Sequence, residues 1–145
     1  MSELLVSMAN YRGYKIGLPM NLWIDEGKEY IRGRHSKRIK FQMDYAQAMH
    51  EWNLASMTLD GNVVQDTLSD ESILTAKDIK AVSNFVKNNS YALDKLADYE
   101  IFDDEWKEVM IKGGNPATQE QIEEQKRRVD EFITESEQDN AIRLN

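Results

Sequence analysis

The chain has 145 residues, of which 41% are hydrophobic and 30% charged, and its formal net charge is -8 at pH 7. This length and composition predict a soluble protein of one domain, or of one domain with an appendage. The chain has no cysteine, which excludes disulfides, thiolate nucleophiles and cysteine-based zinc sites. Because its first residues lack a signal peptide and no stretch is apolar enough to span a membrane, we expect a cytoplasmic protein.

Alternating apolar residues predict strands in the first part of the chain. Residues 4–8 fit a first strand or a short helix, and residues 10–13 fit a turn. Every second position from 16 to 24 is apolar, which predicts a half-buried strand. Pro19 within it implies an edge strand, a bulge, or two shorter strands on either side. Residues 30–34 predict a second strand. Residues 38–43 predict a third strand, with one apolar face and one basic face.

A short helix and a hairpin are predicted next. Asp44 is a suitable N-cap for a helix over 44–52. The pair Asp60-Gly61 separates two β-prone runs, 55–59 and 62–65, and such a pair is the strongest short-range signal for a hairpin.

The second half of the chain predicts helices. Thr75 and Asp78 resemble a capping box that begins a helix over 76–87, and Ser90 is a candidate cap for a second helix over 90–97. A third helix begins at Asp103 and is expected to stop at Gly113-Gly114. A last helix is predicted over 118–137, followed by a frayed tail.

These elements predict an α+β fold, with an antiparallel sheet of four to five strands followed by a helical C-terminal half. The expected core joins sheet and helix side chains, namely Ile16, Leu18, Leu22, Ile24, Ile39, Phe41 and Met43 with Ile79, Val82, Phe85 and Val86. The break at 113–116 and the thin apolar stripe of the last helix predict two parts. These are an α+β domain over 1–114, and a C-terminal helix with its tail over 115–145.

Three stretches, 23–27, 35–42 and 88–94, resemble uncharacterised small α+β proteins of gut anaerobic bacteria and their phages or mobile elements. The resemblance covers about residues 12–112. Those proteins often carry a Pro-x-His-x-His run on the second strand, where this chain has Ile31-Arg-Gly-Arg-His35. The resemblance therefore implies a fold and a biological setting, and it implies no activity.

A basic ribbon within residues 28–42 is the clearest candidate site. This stretch holds six of the 18 Lys and Arg residues, although the chain is acidic as a whole. The candidate macromolecule-binding residues are Arg32, Arg34, His35, Lys37, Arg38 and Lys40. They could contact nucleic-acid phosphates, pair with carboxylates of the same or a neighbouring chain, or simply be solvated. We favour carboxylates of protein origin, and 120–137 is the expected source.

The remaining candidates have simpler explanations. The two histidines, His35 and His50, lie on different predicted elements, and no metal-ligand spacing is present. His35 and Ser36 are adjacent and point apart. The acids 103–105 are explained by a helix N-terminus, which favours negative charge. We therefore predict no catalytic residue, metal site or cofactor.

We expect a non-enzymatic binding or regulatory protein from a phage or mobile-element setting. It would bind another protein through the basic strand face and the acidic helical half, or self-associate through the last helix. One alternative is nucleic-acid binding through the basic ribbon. Another is mimicry of nucleic acid by the acidic residues after Leu59, which would inhibit a host defence protein. A small enzyme with an unrecognised carboxylate-based site is the alternative class.

Overall fold

The computed structural model describes residues 9–24, 36–47 and 51–144. Four strands form one antiparallel sheet in sequential order, β1 (Ala9–Tyr11), β2 (Leu22–Ile24), β3 (Arg38–Gln42) and β4 (Leu54–Thr58). A one-turn helix, α1 (Gly13–Ile16), lies between β1 and β2. Four more helices follow, α2 (Ala76–Asn88), α3 (Ser90–Ala97), α4 (Asp103–Val109) and α5 (Gln119–Leu144). The predicted α+β class with a helical C-terminal half is confirmed.

The strand register aligns apolar side chains on one face of the sheet. Leu22 is opposite Phe41, which is opposite Ala55. The next row on this face consists of Ile24, Ile39 and Met57. All six side chains are buried. Because successive residues of a strand point to opposite faces, the residues between them form a second, outer face.

The helices cover the inner face of the sheet. Val82, Phe85 and Val86 of α2 are buried as predicted, and Ile79 is half-buried. The predicted sheet residues of the core are all buried as well. Trp106 of α4 was not among the predicted core residues. It is fully buried and packs edge-on against Phe85, with ring centroids 6.4 Å apart.

The prediction of a strand over 16–24 is wrong for its first part. Residues 13–16 form α1, Gly17 adopts a left-handed conformation with φ 78°, and only Leu22–Ile24 is a strand. The alternate apolar residues are nevertheless buried. Gly13 explains part of the difference, because an added Cβ would lie 2.5 Å from the backbone oxygen of Met20. A tight loop and a strand thus produce the same spacing of buried side chains. The turn predicted over 10–13 also begins too early, because β1 extends to Tyr11.

The predicted helix over 44–52 is also wrong. Residues 45–47 form a turn, and a 3-10 helix spans Glu51–Asn53. The Asp44 side chain accepts from the amide of Ala46 at 2.9 Å, two residues ahead, instead of capping a helix. The Asn53 side chain then bonds both backbone groups of Asp44, which closes the loop. The strand predicted at 30–34 and the element predicted at 4–8 lie outside the described residues.

The hairpin and the helix starts largely follow their predictions. Gly61 has φ 83° in the turn after β4, and Met57 pairs with Val63 in a single bridge. The capping box of Thr75 and Asp78 is present at the start of α2. Thr118 and Gln121 make the same reciprocal contacts before α5. Ser90 is not a cap, because Asn89 precedes α3 and the Ser90 hydroxyl donates to the Leu59 carbonyl at 2.9 Å.

Helix α4 ends at Val109, before the two glycines that were expected to stop it. Gly114 instead lies against α2, where an added Cβ would be 2.5 Å from the Cβ of Ala81. Gly113 donates its amide to the Ile16 carbonyl at 2.8 Å. Gly114 therefore allows the segment after α4 to pack closely against α2, and Gly113 provides the positive φ of 97° beside α1.

Two buried amide side chains join α5 to the other helices. Asn89 is fully buried, and it bonds both backbone groups of Ile111 at 2.8 and 2.9 Å. Gln125 of α5 donates to the Asn89 side chain at 2.7 Å and to the Val109 carbonyl at 3.0 Å. Val129, one turn later, is fully buried in the core. The division of the chain at residue 114 stays a prediction. A test of this division must disrupt the contacts of Gln125 and Val129 with the rest of the fold.

Candidate functional site

The outer sheet face carries two of the three described cations of the basic ribbon, Arg38 and Lys40. The name outer sheet face refers to the strand side chains that alternate with the core residues, namely Asn10, Trp23, Arg38, Lys40, Ser56 and Thr58. Trp23 lies directly opposite Lys40 in the register of β2 and β3. Arg38 is two residues before Lys40, so both cations project from the same face of β3.

Two nitrogen donors on this face have no acceptor within the described part of the chain. The Nε1–H of Trp23 and the Nε–H of Arg38 are buried, and neither has a hydrogen-bond partner among the residues described by the structure. Over 51–144, together with 9–24 and 36–47, no carboxylate forms an ion pair with Arg38 or Lys40. Buried donors are nearly always satisfied in folded proteins. The outer sheet face therefore carries two buried donors without partners, and positive charge that no carboxylate of the described chain neutralises.

Lys37 is positioned differently from its two basic neighbours. It continues the inward alternation of Ile39, so its side chain reaches the helices instead of the outer sheet face. Its Nζ is 2.7 Å from Asp94 Oδ1 of α3 and also donates to Asp98 at the end of that helix. Burial alone would lower the pKa of Lys37, but the hydrogen bonds and negative charges of Asp94 and Asp98 outweigh it and raise this pKa.

Within the described residues, Lys37 thus pairs with carboxylates of α3 and its C-cap, and the pairing of Arg38 and Lys40 with residues 120–137 stays a prediction. The described ion pairs of α5 involve the cations of that helix. Arg127 bonds Glu124 at 2.5 Å and also Glu131, and Arg128 lies 3.5 Å from Glu108 of α4.

Three of the six predicted site residues, Arg32, Arg34 and His35, lie outside the described residues. The same is true of His50, so the structure does not place either histidine. Among the residues it does describe, no group of three or more His, Asp or Glu side chains is arranged to hold a metal ion. None of the helices within the described ranges combines the length and apolar character needed to cross a bilayer.

A groove of about 420 Å³ lies where α5 crosses the start of α3, and its lining includes Ser90, Tyr91 and Lys126. The Tyr91 hydroxyl donates to Asp130 at 2.5 Å, and this hydrogen bond, assisted by burial and nearby negative charge, raises the pKa of Tyr91 to about 12. Lys95 and Lys126 lie over the Tyr91 ring at 5.4 and 5.8 Å. Since the phenol stays protonated near neutral pH, it is poorly matched to general base catalysis. These contacts hold α3 and α5 together.

Sequence reasoning did not identify Trp23 as part of the site. Trp23 is flanked by Leu22 and Ile24, so three apolar residues follow one another and hydrophobicity alone does not assign a face. The alternation of the longer β3, transferred through the strand register, places Trp23 beside Lys40.

Comparison of the chain with protein-family models, with curated proteins and with solved structures gave no match.

Proposed function

We propose that the chain is a non-enzymatic protein-binding module, and that its outer sheet face contacts an acidic segment of a partner protein. The observation that carries this proposal is the pair of half-buried cations Arg38 and Lys40, which form no ion pair with any carboxylate of the described residues and lie on the same face as Trp23. A carboxylate of a partner would pair with these cations. Tryptophan and arginine are also the residue types that most often carry binding energy at protein interfaces.

The charge around the ribbon favours protein over nucleic acid. The chain has a net charge of -8, and its residues after Leu59 carry twenty Asp and Glu against ten Lys and Arg. Double-stranded DNA carries one negative charge about every 1.7 Å, so it would bring many charges into this field. A protein segment with a few carboxylates can meet Arg38 and Lys40 with less repulsion.

The test is an affinity capture with a matched control. Arg38→Gln with Lys40→Gln removes two positive charges from the outer sheet face, and Lys77→Gln with Lys80→Gln removes two from exposed positions of α2. Both variants have a net charge of -10, since two charges are removed from -8. We expect the first variant to lose the partner proteins that the wild type and the control capture from a lysate.

A second measurement uses defined probes at low salt, namely a fluorescein-labelled peptide of alternating Glu and Leu and an unstructured single-stranded DNA. We expect the acidic peptide to bind the wild type, and to bind Arg38→Gln with Lys40→Gln at least about tenfold more weakly, as for loss of an interface hot spot. Tight DNA binding that falls steeply with salt and disappears in that variant would replace this proposal with nucleic-acid binding. Equal losses in both charge variants would contradict a specific role for the outer sheet face.

A further inference from the structure

The turn between α3 and α4 carries two exposed aromatic rings in a fixed arrangement. The side chain of Tyr99 is 59% exposed and that of Phe102 is 46% exposed. Their ring centroids are 5.0 Å apart and the rings meet edge to face at 85°. Between them, Ile101 is fully buried and anchors the turn to the core. We call Tyr99 and Phe102 the aromatic pair.

The backbone at Tyr99 is of a kind that glycine normally provides. Tyr99 has φ 63°, and no other non-glycine residue in the described ranges has positive φ. Its amide donates to the Leu96 carbonyl at 3.1 Å, and the next amide, of Glu100, donates to the Lys95 carbonyl at 2.9 Å. These two bonds form a Schellman motif, whose left-handed position is usually glycine because a Cβ is disfavoured there. The fold thus keeps an exposed tyrosine where glycine would be less strained.

The surroundings of the aromatic pair are acidic. Residues 94–108 contain seven Asp and Glu against two Lys, a net charge of -5. Lys37 pairs with Asp94 and Asp98, and Arg128 pairs with Glu108, so the net charge with these two cations included is -3. Elsewhere the chain covers rings with its own cations, as Lys95 and Lys126 do for Tyr91 and as Arg128 does for Phe132. Among the residues that the structure places, no Lys or Arg lies over Tyr99 or Phe102.

We propose that the aromatic pair and its carboxylate rim are a docking site for an arginine-containing segment of another protein. Guanidinium groups stack on aromatic faces and also pair with carboxylates, so they match both features of this surface. The motif holds the rings in place before binding, which lowers the entropy lost on association. This site is separate from the outer sheet face and does not depend on the function proposed for that face.

The decisive variant is Tyr99→Gly, because it removes the ring and relieves the backbone strain together. The probes are fluorescein-labelled peptides of alternating Arg and Gly and of alternating Lys and Gly, titrated by fluorescence anisotropy at low salt. We expect Tyr99→Gly to raise the melting temperature and to weaken binding of the Arg peptide at least about tenfold, as for an interface hot spot. The wild type is expected to prefer the Arg peptide to the Lys peptide, and the variant to lose this preference.

Two further variants complete the design. Phe102→Ala removes the second ring without changing the backbone at Tyr99, and is expected to weaken Arg-peptide binding as well. Tyr14→Ala removes a ring that is 80% exposed in α1, and is expected to leave binding unchanged. All three substitutions keep the net charge of -8, so the long-range attraction of a basic peptide stays constant.

Three results would overturn the proposal. Equal Arg-peptide affinity in the wild type and Tyr99→Gly would show that the peptide follows the overall negative charge. A loss of stability in Tyr99→Gly, with binding unchanged, would assign the ring to folding. Concentration-dependent dimerisation lost in Tyr99→Gly, without an effect on peptide binding, would identify a second copy of the chain as the occupant.

Discussion

At the scale of single residues, Phe85 joins the helices to the sheet. It is fully buried and contacts Trp106 edge-on, with the two rings at 77°. Phe85→Ala removes most of a large side chain from a packed core, so we expect the free energy of unfolding to fall by about 3–5 kcal/mol. Denaturant unfolding monitored by circular dichroism measures this. Tyr14→Ala is the control, with an expected change within about 0.5 kcal/mol, and an unchanged Phe85→Ala protein would contradict this core.

Tyr91 gives a residue-scale prediction about pH. Its folded-state pKa of about 12 lies above the ordinary 10.0, so ionisation of the phenol is harder in the folded protein. The stabilisation is therefore fully present below pH 10 and is lost as the pH rises towards 12. We expect Tyr91→Phe to lose less of its melting temperature over this alkaline range than the wild type. Ultraviolet titrations of phenolate absorbance in the two proteins should differ by one phenol, that of Tyr91, with a pKa of about 12. A midpoint near 10 would contradict the hydrogen bond to Asp130.

At the scale of elements, α5 determines whether the chain divides at residue 114. Most of this helix is polar, yet Val129 is fully buried and Gln125 is 3% exposed. Val129→Ala deletes two buried methyl groups, so we expect unfolding to become easier by about 2 kcal/mol. Glu123→Ala on the exposed side of α5 is the control and should change stability by no more than about 0.5 kcal/mol.

The outcome for Val129→Ala also tests the predicted division into 1–114 and 115–145. A clear loss of stability would show that α5 contributes to the same cooperative unit as the sheet. No loss, together with a folded chain ending at Gly114, would favour the division. Analytical ultracentrifugation of that shorter chain would then show whether α5 mediates self-association.

At the scale of the whole molecule, charge is unevenly distributed. Residues up to Leu59 carry eight Lys and Arg against six Asp and Glu, and the residues after it carry ten against twenty. Repulsion among the excess carboxylates opposes the compact state. Raising NaCl from about 0.01 M to 0.1 M shortens the Debye length from about 30 to 10 Å. We therefore expect the melting temperature to rise over this range.

The Arg38→Gln with Lys40→Gln protein provides an internal comparison, because its net charge is more negative. Its melting temperature should rise more with NaCl than that of the wild type. A melting temperature that falls with salt would mean that attractive pairs, such as Lys37 with Asp94, outweigh the repulsion.

Patterns within a few residues of one another predicted several elements correctly. The alternation of β3, the Asp60-Gly61 turn and the capping pair Thr75 and Asp78 are all present. Each depends on the intrinsic preference of a short segment, and the tertiary structure agrees with that preference. The separation of Arg38 and Lys40 from the core face follows from the same alternation.

Contacts between segments that are distant in the sequence determined the features that local patterns did not predict. A buried position every two residues is produced both by a strand and by the α1 loop. The loop is possible because residue 13 is glycine, since an added Cβ there would lie 2.5 Å from the backbone oxygen of Met20. Asn53 overrides a helix after Asp44, and Gln125 reaches Asn89 across 36 positions of the chain. The left-handed conformation of Tyr99 likewise has no signal in the sequence, because tyrosine does not favour it. The sequence alone therefore determined the fold class and the position of Arg38 and Lys40 on a strand. The tertiary structure decided which donors stay unpaired and which aromatic rings face the solvent, because both depend on side chains brought together from distant parts of the chain.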